Sequence, residues 1–475
     1  MELFTAFISL MKLEWLLIGA ILLLLILKLS SNSFSNKQML LFINLLIISC
    51  LIISLLIPTP IELATLFNEM FVSSKLIVFE KQLLLGATLL VSLISYSWLL
   101  NKPIQIEFYI MLLTSLTGMF FMLSSGNLLM LYVALEMATI PLAVLVNFDL
   151  EKKKASEAAM KMIFSSAMSS GFLLMGISFI YGLTGSLQFS SLAVANFSAP
   201  LAWLAFLLFF TGFAFKVSAV PFHFWTADVY EGAPVGVTAF LSVVSKAAAT
   251  LTFMHLFYNV FASLQQQWIF IVIVLSFLTL VVGNLFALKQ QSFKRFMAFS
   301  SIAQVGFVLL AMSANNHLAQ AAIVYFIAIY AVTNLAAFFV IALVDNATNN
   351  DAIEQFTGFY QHNKLLTWVL AIALFSLAGI PPTAGFFSKF FLLFAGSANV
   401  SLGWLLFALL NVVVSLYYYL QIVRKMFGEA NAQQVSNAIP LTQWQKVLAF
   451  LFLLGIILMG MASGIYQFIY SITLA

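Results

Sequence analysis

Five ionisable side chains stand inside stretches that are otherwise apolar: Glu136, Lys161, Lys216, Lys246 and Lys389. A charge at the centre of a bilayer costs about 2.5–3.5 kcal/mol on insertion scales, so five in one chain point to use. Glu136 precedes Pro141 by five residues, and Lys216 precedes Pro221 by the same interval. Proline donates no backbone hydrogen bond and frees the carbonyl four residues back. Each group is therefore expected one turn before a helix defect, where carbonyls and water can solvate it. Lys389 follows a second such site, LAGIPPTAGFFSKFF, in which Pro381 and Pro382 release the carbonyls of Leu377 and Ala378. The chemistry that suits this set is proton transfer. Desolvation weakens a lysine's hold on its proton and a nearby carboxylate strengthens it. A lysine that alternately meets and loses its carboxylate would bind and release a proton near neutral pH. The plain alternative is a Glu–Lys pair that only locks two helices, but such pairs add little over apolar packing.

The other candidates carry weaker signals. Lys246, in GVTAFLSVVSKAAATLTFMHLF, is too deep to snorkel and is read as a proton relay. His255 lies nine residues on, the opposite face of an ideal helix; a packed, hydrogen-bonded ring and a relay are both open there. Lys161 follows Glu157 by four residues, the favoured ion-pair orientation, so a rim salt bridge stands against a functional role. Lys389 is flanked by Phe387, Phe390 and Phe391 with no acid nearby, so snorkelling is its alternative. His223 is a secondary relay candidate. Asp228 and Glu231 are read as capping groups in a turn before Gly232 and Pro234, with a part in a proton entrance as the second reading. Ser242, Asn284, Ser300, Gln304, Thr333 and Asn334 can hold water between these sites, or serve as helix–helix glue.

Cys50 is the single cysteine, which excludes a disulfide or a thiolate cluster. The four histidines have no spacing that suggests stacked haems. No metal or cofactor is expected on this chain, so redox chemistry would belong to another. A net charge of +4 gives no nucleic-acid signal.

These residues need elements that hold them in lipid. The 475-residue chain is 63% hydrophobic and 8% charged, with mean hydropathy +1.09. Long continuous apolar runs, without the alternation of a barrel, predict an all-α polytopic membrane protein. Breaking them at polar or Gly/Pro clusters gives about fourteen crossings, at 13–29, 39–57, 76–100, 107–124, 127–147, 157–184, 200–225, 233–260, 268–288, 293–312, 318–345, 365–397, 401–427 and 444–472. The first is read as a retained helix, since no basic segment or cleavage site flanks it. Thirteen of the twenty Lys/Arg then fall in loops on one side, while Lys12, Lys75 and Lys81 fall on the other. The positive-inside rule makes the richer side cytoplasmic and puts both termini outside. Two Pro-interrupted segments five helices apart, each with a lysine close by, have the form of a transporter's internal repeat. The predicted organisation is an N-terminal three-helix segment (1–105), two five-helix repeats (106–262 and 263–430) and a C-terminal helix (431–475).

The stretch FKVSAVPFHFWTADVYEGAPVGVTAFLSVVSKAAA resembles the signature of the antiporter-like subunits of proton-pumping NADH:quinone oxidoreductase, respiratory complex I. LEMATIPL around Glu136, KQQSFKRFMAFSSIAQVGF at 289–307 and LAGIPPTAGFFSKFF match as well, so the likeness runs from about residue 126 to 392. The VPFHFW…DVYEGAP wording is similar to the N-type branch; the L and M branches and Mrp cation/proton antiporters usually carry His-x-Glu-Ala-Pro there. The resemblance implies fourteen helices with two inverted five-helix units and a hydrated axis of ionisable residues. It implies that Glu136, Lys216, Lys246 and Lys389 are that axis, on helices five, seven, eight and twelve, with Lys161 a sixth-helix lysine. It further implies a bacterial inner membrane and partners among the membrane-arm subunits, another antiporter-like subunit included. NADH, FMN, iron–sulfur clusters and quinone would sit on those partners. An Mrp-type antiporter subunit and a structural spacer are the rival readings.

Overall fold

The structure, a computed structural model, describes residues 7–30, 35–56, 63–195, 197, 200–429 and 438–474. It is helical almost throughout. Twelve helices among the described residues are long and apolar enough to cross a membrane. Two further stretches bring the crossings to the expected fourteen. One is α1 (Lys12–Leu29), long enough but carrying Lys12, Glu14 and Lys28; the other is a helix in two pieces, Lys364–Ala378 and Ala384–Gly396.

The chain forms two compact units. The first holds residues 1–217 and 232–267, the second 218–231 and 268–474. The first unit contains α1, α2 (Asn36–Leu56), α3 (Lys75–Leu99), α4 (Gln105–Leu123), α5 (Leu128–Val146), α6 (Lys153–Thr184) and α7 (Pro200–Val217). A short hairpin, β1 (Ala64–Leu66) with β2 (Phe71–Ser73), turns through Phe67, Asn68 and Glu69 at positive φ. After α8 (Phe224–Gly232), which belongs mostly to the second unit, comes α9, Val235–Val260, with 94% of its apolar window buried. It is the first unit's central helix, wrapped by neighbours on nearly every side. The sequence reading makes it regular, but π turns at Leu241–Ser245 and Leu256–Val260 bracket the α-helical stretch from Lys246 to His255. Such turns carry one surplus residue and often mark functional sites.

The second unit holds α8, α10 (Gln265–Ala287), whose first three residues belong to the first unit, α11 (Phe293–Met312), α12 (His317–Thr348), α13 (Lys364–Ala378), α14 (Ala384–Gly396), α15 (Leu402–Phe427), α16 (Gln443–Met461) and α17 (Ser463–Thr473). Its buried centre is α11 and α12, at 94% and 89%.

Several expectations change. The segment read as one crossing at 444–472 breaks at Ala462, where Gly464 is a weak helix former and Gly460 backs onto the Pro382–Ala384 backbone. Pro141 does not break α5, which runs through it. The one carbonyl it frees is that of Met137, and the loss of a single bond does not end the helix; Ser115 Oγ donates to the next carbonyl, Ala138 O, at 2.7 Å. Asp228 and Glu231 lie on α8, not in a turn. Lys81, counted as a loop residue, is buried a turn and a half inside α3, and Lys12 is buried at the start of α1. Residues 1–6, 475 and 430–437, where the termini and the expected end of the second repeat fall, lie outside the described residues.

Candidate functional site

In the first unit, Lys216 is the penultimate residue of α7, whose last turn ends at Ser218 with φ +63°. The helix stops before Pro221, so its final carbonyls lose their donors as a group rather than one at Val217. Lys216 Nζ donates to Thr139 Oγ1 on α5. Thr139 is one helical turn after Glu136, so the two share a face of α5. No carboxylate among the described residues is within ion-pair distance of that amine, whose bonded partner is Thr139. Glu136 keeps one buried oxygen, Oε1, without a hydrogen-bond partner. The pair is thus adjacent and open, with a threonine hydroxyl holding the amine. Lys246 is buried on α9 immediately after its first π turn.

The same unit separates the secondary candidates. Lys161 pairs with Glu157 at 2.7 Å on an exposed face of α6, the rim salt bridge of the sequence reading. A surface pair of this kind contributes about 0–1 kcal/mol. His255 is held by Glu80 on α3, with Nε2 at 3.0 and 2.9 Å from the two carboxylate oxygens. One residue on, Lys81 bonds Glu14 of α1 and the Ser124 hydroxyl. Glu14, Glu80 and Lys81 were missed by sequence reasoning. Part of the signal was present: positions 80 and 81 fall within the span 76–100, though close to its start.

In the second unit, α13 ends on Gly379 at φ +87°, a conformation open to glycine. Gly379 N–H bonds Ser376 O and Ile380 N–H bonds Phe375 O, both at 3.0 Å, a Schellman cap. The next two carbonyls are those expected to be released, and both find side-chain donors. Gln304 Nε2 lies 3.2 Å from Leu377 O, and Lys389 Nζ 3.4 Å from Ala378 O. The Lys389 amine also sits 5.1 Å from the Phe307 ring centroid, a cation–π distance. A small, mostly apolar cavity here is lined by Phe326, Ile329 and Tyr330 on one hand and by Gln304, Thr333 and Lys389 on the other. Thr333 and Ser376 hydroxyls are 3.1 Å apart across it, and Gln304 Oε1 has no partner. Lys389 is buried here and does not snorkel to an interface.

His223 lies between α7 and α8, buried, with its ring on Phe224. Asp228 and Glu231 face Arg295 at the start of α11, accepting from Nη1 at 2.7 and 2.9 Å. They clasp α8 to α11 instead of capping a loop. Asn284 joins Asn411 and Tyr418 at 2.9 and 3.0 Å, acting as helix–helix glue.

Residues 125–417 match the family described as NADH:quinone oxidoreductase/Mrp antiporter, TM. The NADH-quinone oxidoreductase subunit N of Azobacteroides pseudotrichonymphae genomovar. CFP2 is 46% identical over 417 residues, covering 86% of this chain and 87% of the relative. A chain of the respiratory complex I from Thermus thermophilus with bound Aureothin matches with TM-score 0.80 at 28% identity, over 95% of this chain and 97% of that one. A chain of the Mrp complex from Dietzia sp. DQ12-45-1b shares the fold, with TM-score 0.81 at 17% identity over 97% and 96% of the two chains. The family match spans more than half of the chain and the relative's identity runs nearly end to end; the chain belongs to the NADH:quinone oxidoreductase/Mrp antiporter membrane family, in its subunit N group.

Proposed function

We propose that this chain carries protons across a bacterial plasma membrane as an antiporter-like subunit of an NADH:quinone oxidoreductase. Electron transfer from NADH to quinone takes place on partner subunits, which hold the FMN and iron–sulfur clusters, and another antiporter-like subunit adjoins this one. Two inverted five-helix repeats, 106–262 and 263–430, each supply a broken helix with its lysine. Protons enter from the cytoplasm toward Lys216 and Lys246 and leave outward by way of Lys389. Glu136 sets the charge state of Lys216, and both termini face outward. Moving one charge against 100 mV takes about 2.3 kcal/mol, which this chain must receive from its partners.

One observation carries the reading: the Lys216 amine rests on a hydroxyl while the Glu136 carboxylate beside it keeps an unpaired buried oxygen. A purely structural pair would be closed, since an uncompensated buried charge is strongly destabilising. An open pair is suited to a proton that comes and goes. The test is Lys216→Ala in the assembled complex. Assembly should persist while protons moved per NADH oxidised fall; an unchanged ratio in vesicles would refute the role.

A further inference from the structure

The Glu80–His255 pair, a buried carboxylate against a partly exposed ring, is a titratable site that the proton route above leaves unused. Glu80 is fully buried on α3, and both its oxygens lie within hydrogen-bond distance of His255 Nε2. The adjacent Lys81 turns the other way, to Glu14 and Ser124. Successive helical residues point about 100° apart, so α3 sends a carboxylate to α9 and an amine to α1 from a single turn. With Glu14, Glu80 and Lys81 ionised, the cluster carries two negative charges and one positive. One proton on the Glu80–His255 pair brings the total to zero. Buried charge is tolerated when it is compensated, so burial favours the state in which the pair holds that proton. Its release leaves a negative charge inside the unit.

The surroundings place few other charges against the pair. Near it, α7 contributes Phe206 and Phe210, which pack on Phe257. Glu107 and Tyr109 of α4 lie in its opening turns, roughly 20 Å back from the Ser124 end. The short helix Phe189–Ala193, packed against the second π turn, has no ionisable side chain. Lys75 lies five residues before Glu80, and Tyr258 follows His255 on the π turn; Lys12, buried on α1, stands two residues before Glu14 and so points about 200° away from it. Lys246 is nine residues away on α9, roughly 13 Å along the axis. That is too far for direct proton transfer and near enough to sense a charge.

We propose that Glu80 and His255 share one exchangeable proton and form a second proton site in the first unit, whose charge governs when Lys246 loads and unloads. The inference rests on the proton-carrying reading of Lys246. The experiment uses vesicles containing the assembled complex with Glu80→Gln, His255→Gln, both together, and Lys246→Ala as reference. Either single change should lower protons moved per NADH at unchanged complex content. Each should also shift the pH at which pumping is half-maximal by about one unit. The double variant should be no worse than the worse single one, and Glu80→Asp should retain most of the wild-type ratio. Wild-type ratio and pH profile in both single variants, with Lys246→Ala impaired, overturn this proposal alone. Wild-type pumping in Lys246→Ala as well overturns the reading beneath it. Should Glu80→Gln fail to assemble, His255→Gln carries the test, because its amide still donates to Glu80.

Discussion

A lysine amine inside a bilayer needs acceptors, and Lys216 and Lys389 find different ones. Lys216 uses the Thr139 hydroxyl, and Lys389 uses the Ala378 carbonyl that the double proline leaves without a backbone donor. Both residues could be read from the sequence because each stands near a proline that interrupts an apolar run. The particular acceptors could not: Thr139 is 77 positions from Lys216, and only packing brings them together. Removing the hydroxyl with Thr139→Val should cost about 1–3 kcal/mol by stripping a buried donor of its acceptor. It should also lower pumping in vesicles while the complex remains intact on native gels. Glu80 and Lys81 stayed hidden for a different reason. Charges placed near a helix start look like rim residues until a neighbour covers them, and here α1 and α9 do so.

The helix spans follow from hydropathy to within a few residues, since lipid imposes length and an apolar surface on each. The finer departures do not follow from it. The two π turns in α9 come from close packing around a helix that is nearly all interior, and no residue type announces them. Pro141 shows the converse, a proline that removes one backbone bond from α5 without ending it. At the second break the cap depends on Gly379. A Cβ there would force a strained positive φ and stand 3.3 Å from Lys389 Cδ. Gly379→Ala should therefore destabilise this element by about 1–2 kcal/mol, visible as a lower melting temperature of the purified complex. It should also perturb pumping, because the lysine would be displaced. Arg295→Ala should release α8 from α11 and expose Asp228 and Glu231 to cleavage nearby, measurable by limited proteolysis. The clasp is partly exposed, so the loss in stability should stay near about 1 kcal/mol.

Across the whole molecule, two units each bury a central layer of helices, and each contains at least one lysine held at a helix break. Composition and hydropathy were enough for the class of fold, while the ion pair joining α1 to α3 arises only from packing between distant segments. Glu14→Gln should cost about 3–5 kcal/mol, the penalty for leaving Lys81 buried without its counter-ion. Quantifying the chain in membranes would show this as reduced accumulation, and adding Lys81→Met should recover most of it. The same contact bears on how this protein can be shortened. A chain starting at residue 35 would strip Lys81 of its carboxylate, and one starting after α3 would leave His255 without Glu80. Trimming the front of this protein therefore demands matching changes deeper in, and a shortened form bearing Lys81→Met should outlast one that keeps the lysine.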